Sequence, residues 1–156
     1  MSGPRHFGPP SVADLAVAEQ FVLWALRTRL EGAPTRSRLE HGFRLARDHP
    51  VRGAALASFE AWFQVLATHC WRDLYLHRAP CPCLSDDERD MLDLVASAQA
   101  DDEARMYRIA AGLVHPRAIG LLQQCSCAFA AALLRLDLSL CGSPAPRQGN
   151  RAAYLH

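Results

Sequence analysis

Hydrophobic positions recur along this chain with a helical period almost from its start. Leu15, Val22, Leu26 and Leu30 share one helical face, behind Ser11 in an N-cap position, and Gly32 and Pro34 end the segment. A shorter, more polar helix is predicted from Arg36 to Asp48, with Leu39, Phe43 and Ala46 inward and His49-Pro50 as its break. The third predicted helix is long, about 51–76. Leu56, Phe59, Phe63, Leu66 and Cys70 form one stripe on it, and Ala55, Trp62, Val65 and His69 form a second beside the first. The proline-rich break HRAPCPCL follows.

Ser85 then opens a fourth helix, with Glu88 in the capping-box position and Asp86 and Asp87 suited to the positive end of the helix dipole. Met91, Leu92, Val95 and Ala98 mark its single inner face, running to about Ala100. Asp101 or Asp102 caps a fifth helix carrying Met106, Ile109, Ala110 and Leu113. His115-Pro116 begins a sixth, about 116–140, again with two stripes: Leu122, Cys125, Phe129, Ala132 and Leu136, then Cys127, Ala131, Leu134 and Leu138. Helices apolar over two stripes have more than one neighbour, so the third and sixth are expected at the centre of a compact all-α bundle of five or six helices. The expected core is Leu26, Leu56, Phe59, Phe63, Leu66, Leu92, Ile109, Leu113, Leu122, Phe129 and Leu136. Residues 1–10 read as a flexible arm, 11–140 as one helical domain and 141–156 as a loop-like tail.

Composition sharpens this picture. Among 156 residues there are 26 Ala and 22 Leu against 7 Val, 2 Ile and 3 Thr, a balance that favours helix and leaves little to build strands. All 17 basic residues are Arg, a bias that a GC-rich bacterial genome explains without invoking function. The net charge of +1 argues against a general nucleic-acid or membrane-surface binder. No run approaches 18 consecutive apolar residues, the most apolar being CAFAAALL at 127–134, and the amino terminus lacks the apolar core of a secretory signal. A cytoplasmic protein with reduced thiols is therefore expected, with no membrane partner.

Six cysteines are the main candidate chemistry. Cys81 and Cys83 sit one residue apart in the break, with His77 just before them. Antiparallel packing of the third and sixth helices would bring His69, Cys70 and Cys125 toward the same end. Zinc or an iron–sulfur cluster would suit such thiolates, with Cys81, Cys83, Cys125, His77, Cys70 and His69 as the candidate ligands. Spacing argues against it. Residues 125 and 127 stand about 200° apart on a regular helix, and Cys70, Cys125 and Cys127 all fit apolar stripes. The preferred expectation is therefore no cofactor, with Cys81 and Cys83 as the pair to watch.

No acid, base and nucleophile constellation emerges, so no catalytic residue is assigned and an enzyme is not the favoured reading. Charge is uneven: residues 1–52 carry +3, 83–105 carry −6 and 106–156 carry +4. The acids from Asp86 to Asp90 read as a solvated helix start. Arg36, Arg38, Arg44 and Arg47 on the second helix offer a DNA-binding alternative, weakened by the interleaved Glu40 and Asp48. The expected function is a small accessory or regulatory protein acting through a protein partner or self-association, with metal binding as the alternative and nucleic acid less favoured.

Overall fold

The computed structural model describes residues 10–32, 36–45 and 52–141. Within them run six α-helices: α1 (Val17–Leu30), α2 (Arg36–Leu45), α3 (Arg52–His69), α4 (Asp86–Gln99), α5 (Glu103–Leu113) and α6 (Ile119–Arg135). Short 3-10 turns precede α1 at Val12–Asp14 and α6 at Pro116–Ala118. No strand occurs among the described residues, only isolated bridges of Ser11 with Cys83 and of Cys70 with Val114. The all-α bundle expected from composition and periodicity is the fold, and α3 with α6 is its most extensive helix pair. The expected arm up to residue 9, the end of the second helix at 46–48 and the tail from 142 lie outside the described residues.

An aromatic chain runs through the core. Phe21 meets Phe43 at 5.0 Å, Phe43 meets Phe59 at 5.8 Å and Phe59 meets Phe129 at 5.6 Å between ring centroids, joining α1, α2, α3 and α6 in turn. Trp62, which the pattern placed on the flank of its helix, is fully buried against Phe129. Its indole N–H donates to Ser126 Oγ at 3.1 Å, and that hydroxyl donates to Leu122 O at 2.7 Å, so the buried polar atoms are matched. Eight of the eleven expected core residues are buried; Leu56, Phe63 and Ile109 are partly covered and pack against the same cluster.

Three boundaries differ from expectation, each for a local physical reason. Ser11 caps the 3-10 turn rather than α1, which starts at Val17 where the Glu19 carboxylate accepts from Ala16 N. The third helix stops at His69, well short of residue 76. Its continuation is pre-empted by α4: Asp87 accepts from Tyr75 N at 2.6 Å and Glu88 from His77 N at 3.0 Å, amides that a longer helix would have turned on its own carbonyls. The sixth helix ends at Arg135 rather than near residue 140. There Asp137 adopts φ 57°, with Leu138 N donating to Leu133 O and Asp137 N to Leu134 O, a Schellman closure made without glycine. Gln99 then seizes the departing chain, accepting from Leu140 N at 2.7 Å and donating to Leu138 O at 2.9 Å.

The two best-packed helices invert their sequence impressions. On α4, read as one-faced, every residue from Met91 to Ala98 is buried, because α1, α5 and α6 all pack against it. Asp93 within this stretch lies 3.5 Å from the Arg105 guanidinium. On α6, read as carrying two inward stripes, the first stripe is buried at Leu122, Phe129, Ala132 and Leu136, with Cys125 half-buried, while Cys127, Ala131 and Leu134 of the second face outward.

Candidate functional site

The segment between α3 and α4 is held by two adjacent carboxylates on the first turn of α4. The capping box forms as expected: Ser85 Oγ accepts from Glu88 N at 3.1 Å and Glu88 accepts from Ser85 N at 2.9 Å. The carboxylates also do more than cap. Asp87 receives both terminal nitrogens of Arg72, at 2.6 and 3.1 Å, in addition to Tyr75 N. The Arg72 guanidinium holds the Asp87 carboxyl below the usual carboxylate range, against the opposing effect of burial and with help from the Tyr75 amide. Glu88 is completely buried, and each of its oxygens accepts one backbone amide and one nitrogen of the buried Arg27, at 2.8 and 3.0 Å. The expectation of a solvated acidic helix start is corrected at both positions.

Arg27 reaches Glu88 from α1 and makes two further bonds. Its Nη1 donates to Cys81 O and its Nη2 to Cys83 O, each at 2.7 Å. The intervening Pro82 carbonyl points the other way, accepting from Val12 N at 2.8 Å, and Leu84 N donates to Pro10 O at 3.2 Å. Alternating carbonyl directions define an extended backbone, in which side chains at i and i+2 stand on the same face. Cys81 and Cys83 therefore project together. Cys81 is half-buried and Cys83 exposed. The Cys83 thiol is pushed above its ordinary range chiefly by its hydrogen bond with the Cys81 thiol, with the neighbouring Arg27 opposing.

The remaining candidate ligands are placed elsewhere. Cys70 lies at the very end of α3 in its backbone bridge to Val114, and His69 O accepts from His115 N at 2.9 Å. The His77 ring stands edge-on to Tyr75 at 5.0 Å. Cys125 packs half-buried on the core, and that burial raises its thiol. Cys127 is exposed, its sulfur 3.9 Å from that of Met106. Among the described residues, no three His, Cys, Asp or Glu side chains gather around a point where an ion could sit. Of the six candidates, the structure brings together Cys81 and Cys83.

On α2, Arg36 pairs with Glu40 at 3.2 Å and Arg38 with Glu31 at 2.6 Å, so two of the proposed DNA-contacting guanidinium groups already face a carboxylate. Arg44 lines a cavity of about 870 Å³ between α1, α2 and α3, over Leu39, Phe43 and Leu56, whereas Arg47 lies outside the described residues. The Arg27–Glu88 pair is the feature that sequence reasoning missed. Glu88 was visible only as a cap, and nothing in the spacing of Arg27 announces a partner 61 residues away.

No known protein family matches this chain, and no curated protein or solved structure matches it.

Proposed function

We propose that the protein is a small helical accessory or regulatory module that works as a self-associated pair, joined through the outward face of α6. The observation that supports this reading is the face itself. Gly120, Gln124, Cys127, Ala131 and Leu134 are all exposed and recur at alternating intervals of four and three, the spacing of a helix-pairing seam. Leu121, beside them, is 45% exposed, as is Leu134.

A second copy is the occupant that the chemistry favours. No charged residue interrupts α6 from Ile119 to Leu134, so two such faces meet without like-charge repulsion. The small side chains at 120 and 131 permit close approach of the helix axes. A two-fold contact of this kind uses one patch twice, which requires a self-complementary surface, and an uncharged apolar seam is one. The span Pro116–Arg135 is also long and apolar enough to cross a membrane by length and composition, with 44% of its window buried in the bundle. That makes lipid the rival occupant.

The test is sedimentation velocity across protein concentration, compared with Leu134→Glu. A concentration-dependent dimer in the parent and a monomer in the variant supports the reading. A parent that stays monomeric to about 100 μM overturns it, and so does a parent that floats with neutral lipid vesicles.

A further inference from the structure

We infer that Cys81 and Cys83 form a two-donor site for a monovalent soft metal ion, of which copper(I) is the type. Two features of the loop carry this. Cys81 and Cys83 stand at i and i+2 of a single extended segment, which places both side chains on one face within reach of one ion. That backbone is pinned on both edges, by Arg27 on the Cys81 and Cys83 carbonyls and by Val12 and Pro10 on the other side. The ordering cost of bringing two donors together is thus already met by the fold.

Donor number then selects the ion. Zinc in a structural site takes four protein ligands in a tetrahedron, and an iron–sulfur cluster takes four cysteines. The described residues supply no third His, Cys, Asp or Glu beside this pair. Copper(I) is soft, prefers thiolate, and is satisfied by two sulfurs arranged about a line. Uptake balances simply: two thiols release two protons, two sulfur–metal bonds form, and no electron moves. The bis-thiolate complex carries one negative charge, close to the Arg27 guanidinium that is bonded to the carbonyls of both cysteines. Exposure of Cys83 leaves an entry path for an ion delivered on a carrier.

The experiment is an anaerobic competition titration of the reduced full-length chain against a chromophoric copper(I) chelator, with zinc titrated in parallel. One copper(I) per chain is expected, with thiolate-to-metal absorption in the near ultraviolet. Cys81→Ser and Cys83→Ser should each weaken binding at least about 100-fold, whereas Cys125→Ser and Cys127→Ser should leave it within about threefold. Should the loop variants fail to fold, the unaltered chain still decides: one equivalent of copper(I) must protect Cys81 and Cys83 from alkylation, read peptide by peptide in a mass spectrometer. Protection of other cysteines instead, undiminished binding in the Cys81→Ser/Cys83→Ser double variant, or zinc bound more tightly than copper(I) would overturn the inference.

Discussion

The first turn of α4 and the outward face of α6 reverse the usual placement of polar and apolar groups. In the first, two carboxylates and a guanidinium are buried; in the second, leucine and alanine stand in water. The difference lies in what each group has to satisfy. A buried charge is tolerated only where its polar atoms have partners, and every nitrogen of the Arg27 guanidinium and both oxygens of Glu88 have one, through each other, two amides and two carbonyls. Apolar side chains need no partner, so an exposed face costs nothing directional. The buried pair is bonded to the backbone of the cysteine loop, while the exposed face of α6 presents a surface.

Removing one half of the buried pair should have the largest effect. Glu88→Ala leaves Arg27 charged and unpaired, and also frees the amides of Ser85 and His77. The expected loss is about 3–5 kcal/mol, read as a lower denaturant midpoint. If the pair chiefly serves specificity rather than stability, the double variant Arg27→Met/Glu88→Leu should recover the part of that loss due to the unpaired charge while loosening the loop. Faster alkylation of Cys81 would report the loosening. Recovery of stability with an unchanged alkylation rate would show that the pair does not hold the loop.

Asp87→Asn should cost about 1.5–3 kcal/mol at neutral pH, since it weakens a hydrogen-bonded charge pair and leaves the Tyr75 amide with a poorer acceptor. The sign of its pH dependence follows from its depressed carboxyl. Asp87 contributes fully above the unfolded value of about 3.9 and loses that contribution as pH falls through its lower folded value. Acid unfolding curves of the parent and Asp87→Asn should therefore converge at low pH and separate above it. Asp90, one turn away, runs oppositely. Burial, together with Asp93, Asp87 and Asp86, raises its carboxyl, so its favourable contribution is present when it is protonated and fades as pH rises through the folded value. Asp90→Asn should then stabilise the chain slightly at neutral pH, and a loss of thermal stability there would contradict this assignment.

The smallest effect on folding belongs to the seam. Leu134→Glu, which abolishes association on the reading above, should change monomer stability by no more than about 0.5 kcal/mol, because the residue contributes little to the core. A large loss in stability would mean that this face is structural after all.

Local signals account for what was legible in the chain. The all-α class follows from the Ala and Leu excess. The capping box of Ser85 and Glu88 and the Asp102 cap each need only neighbours three residues apart. The pairing of α3 with α6 was legible because each carries more apolar surface than one neighbour can cover. The stop of α3 at His69 was not, since no proline or glycine lies between residues 70 and 78 and the competing acceptors belong to α4. Neither was the end of α6, where Asp137 takes a backbone conformation that glycine ordinarily signals.

Amino-acid sequence alone thus determined the order of the helices, the Ser85–Glu88 and Asp102 caps and the apolar stripes, because these depend on interactions within a turn or two of the backbone. Tertiary structure decided which of the two stripes on α6 is covered, that Glu88 is an ion-pair anchor rather than a wetted cap, and that Cys81 and Cys83 share a face while Cys70 and Cys125 belong elsewhere. Those outcomes rest on groups brought together across long stretches of chain, such as Arg27 and Glu88 at a separation of 61 residues. The energy of such a contact exists only once the bundle has closed around it, so no spacing along the chain carries its trace.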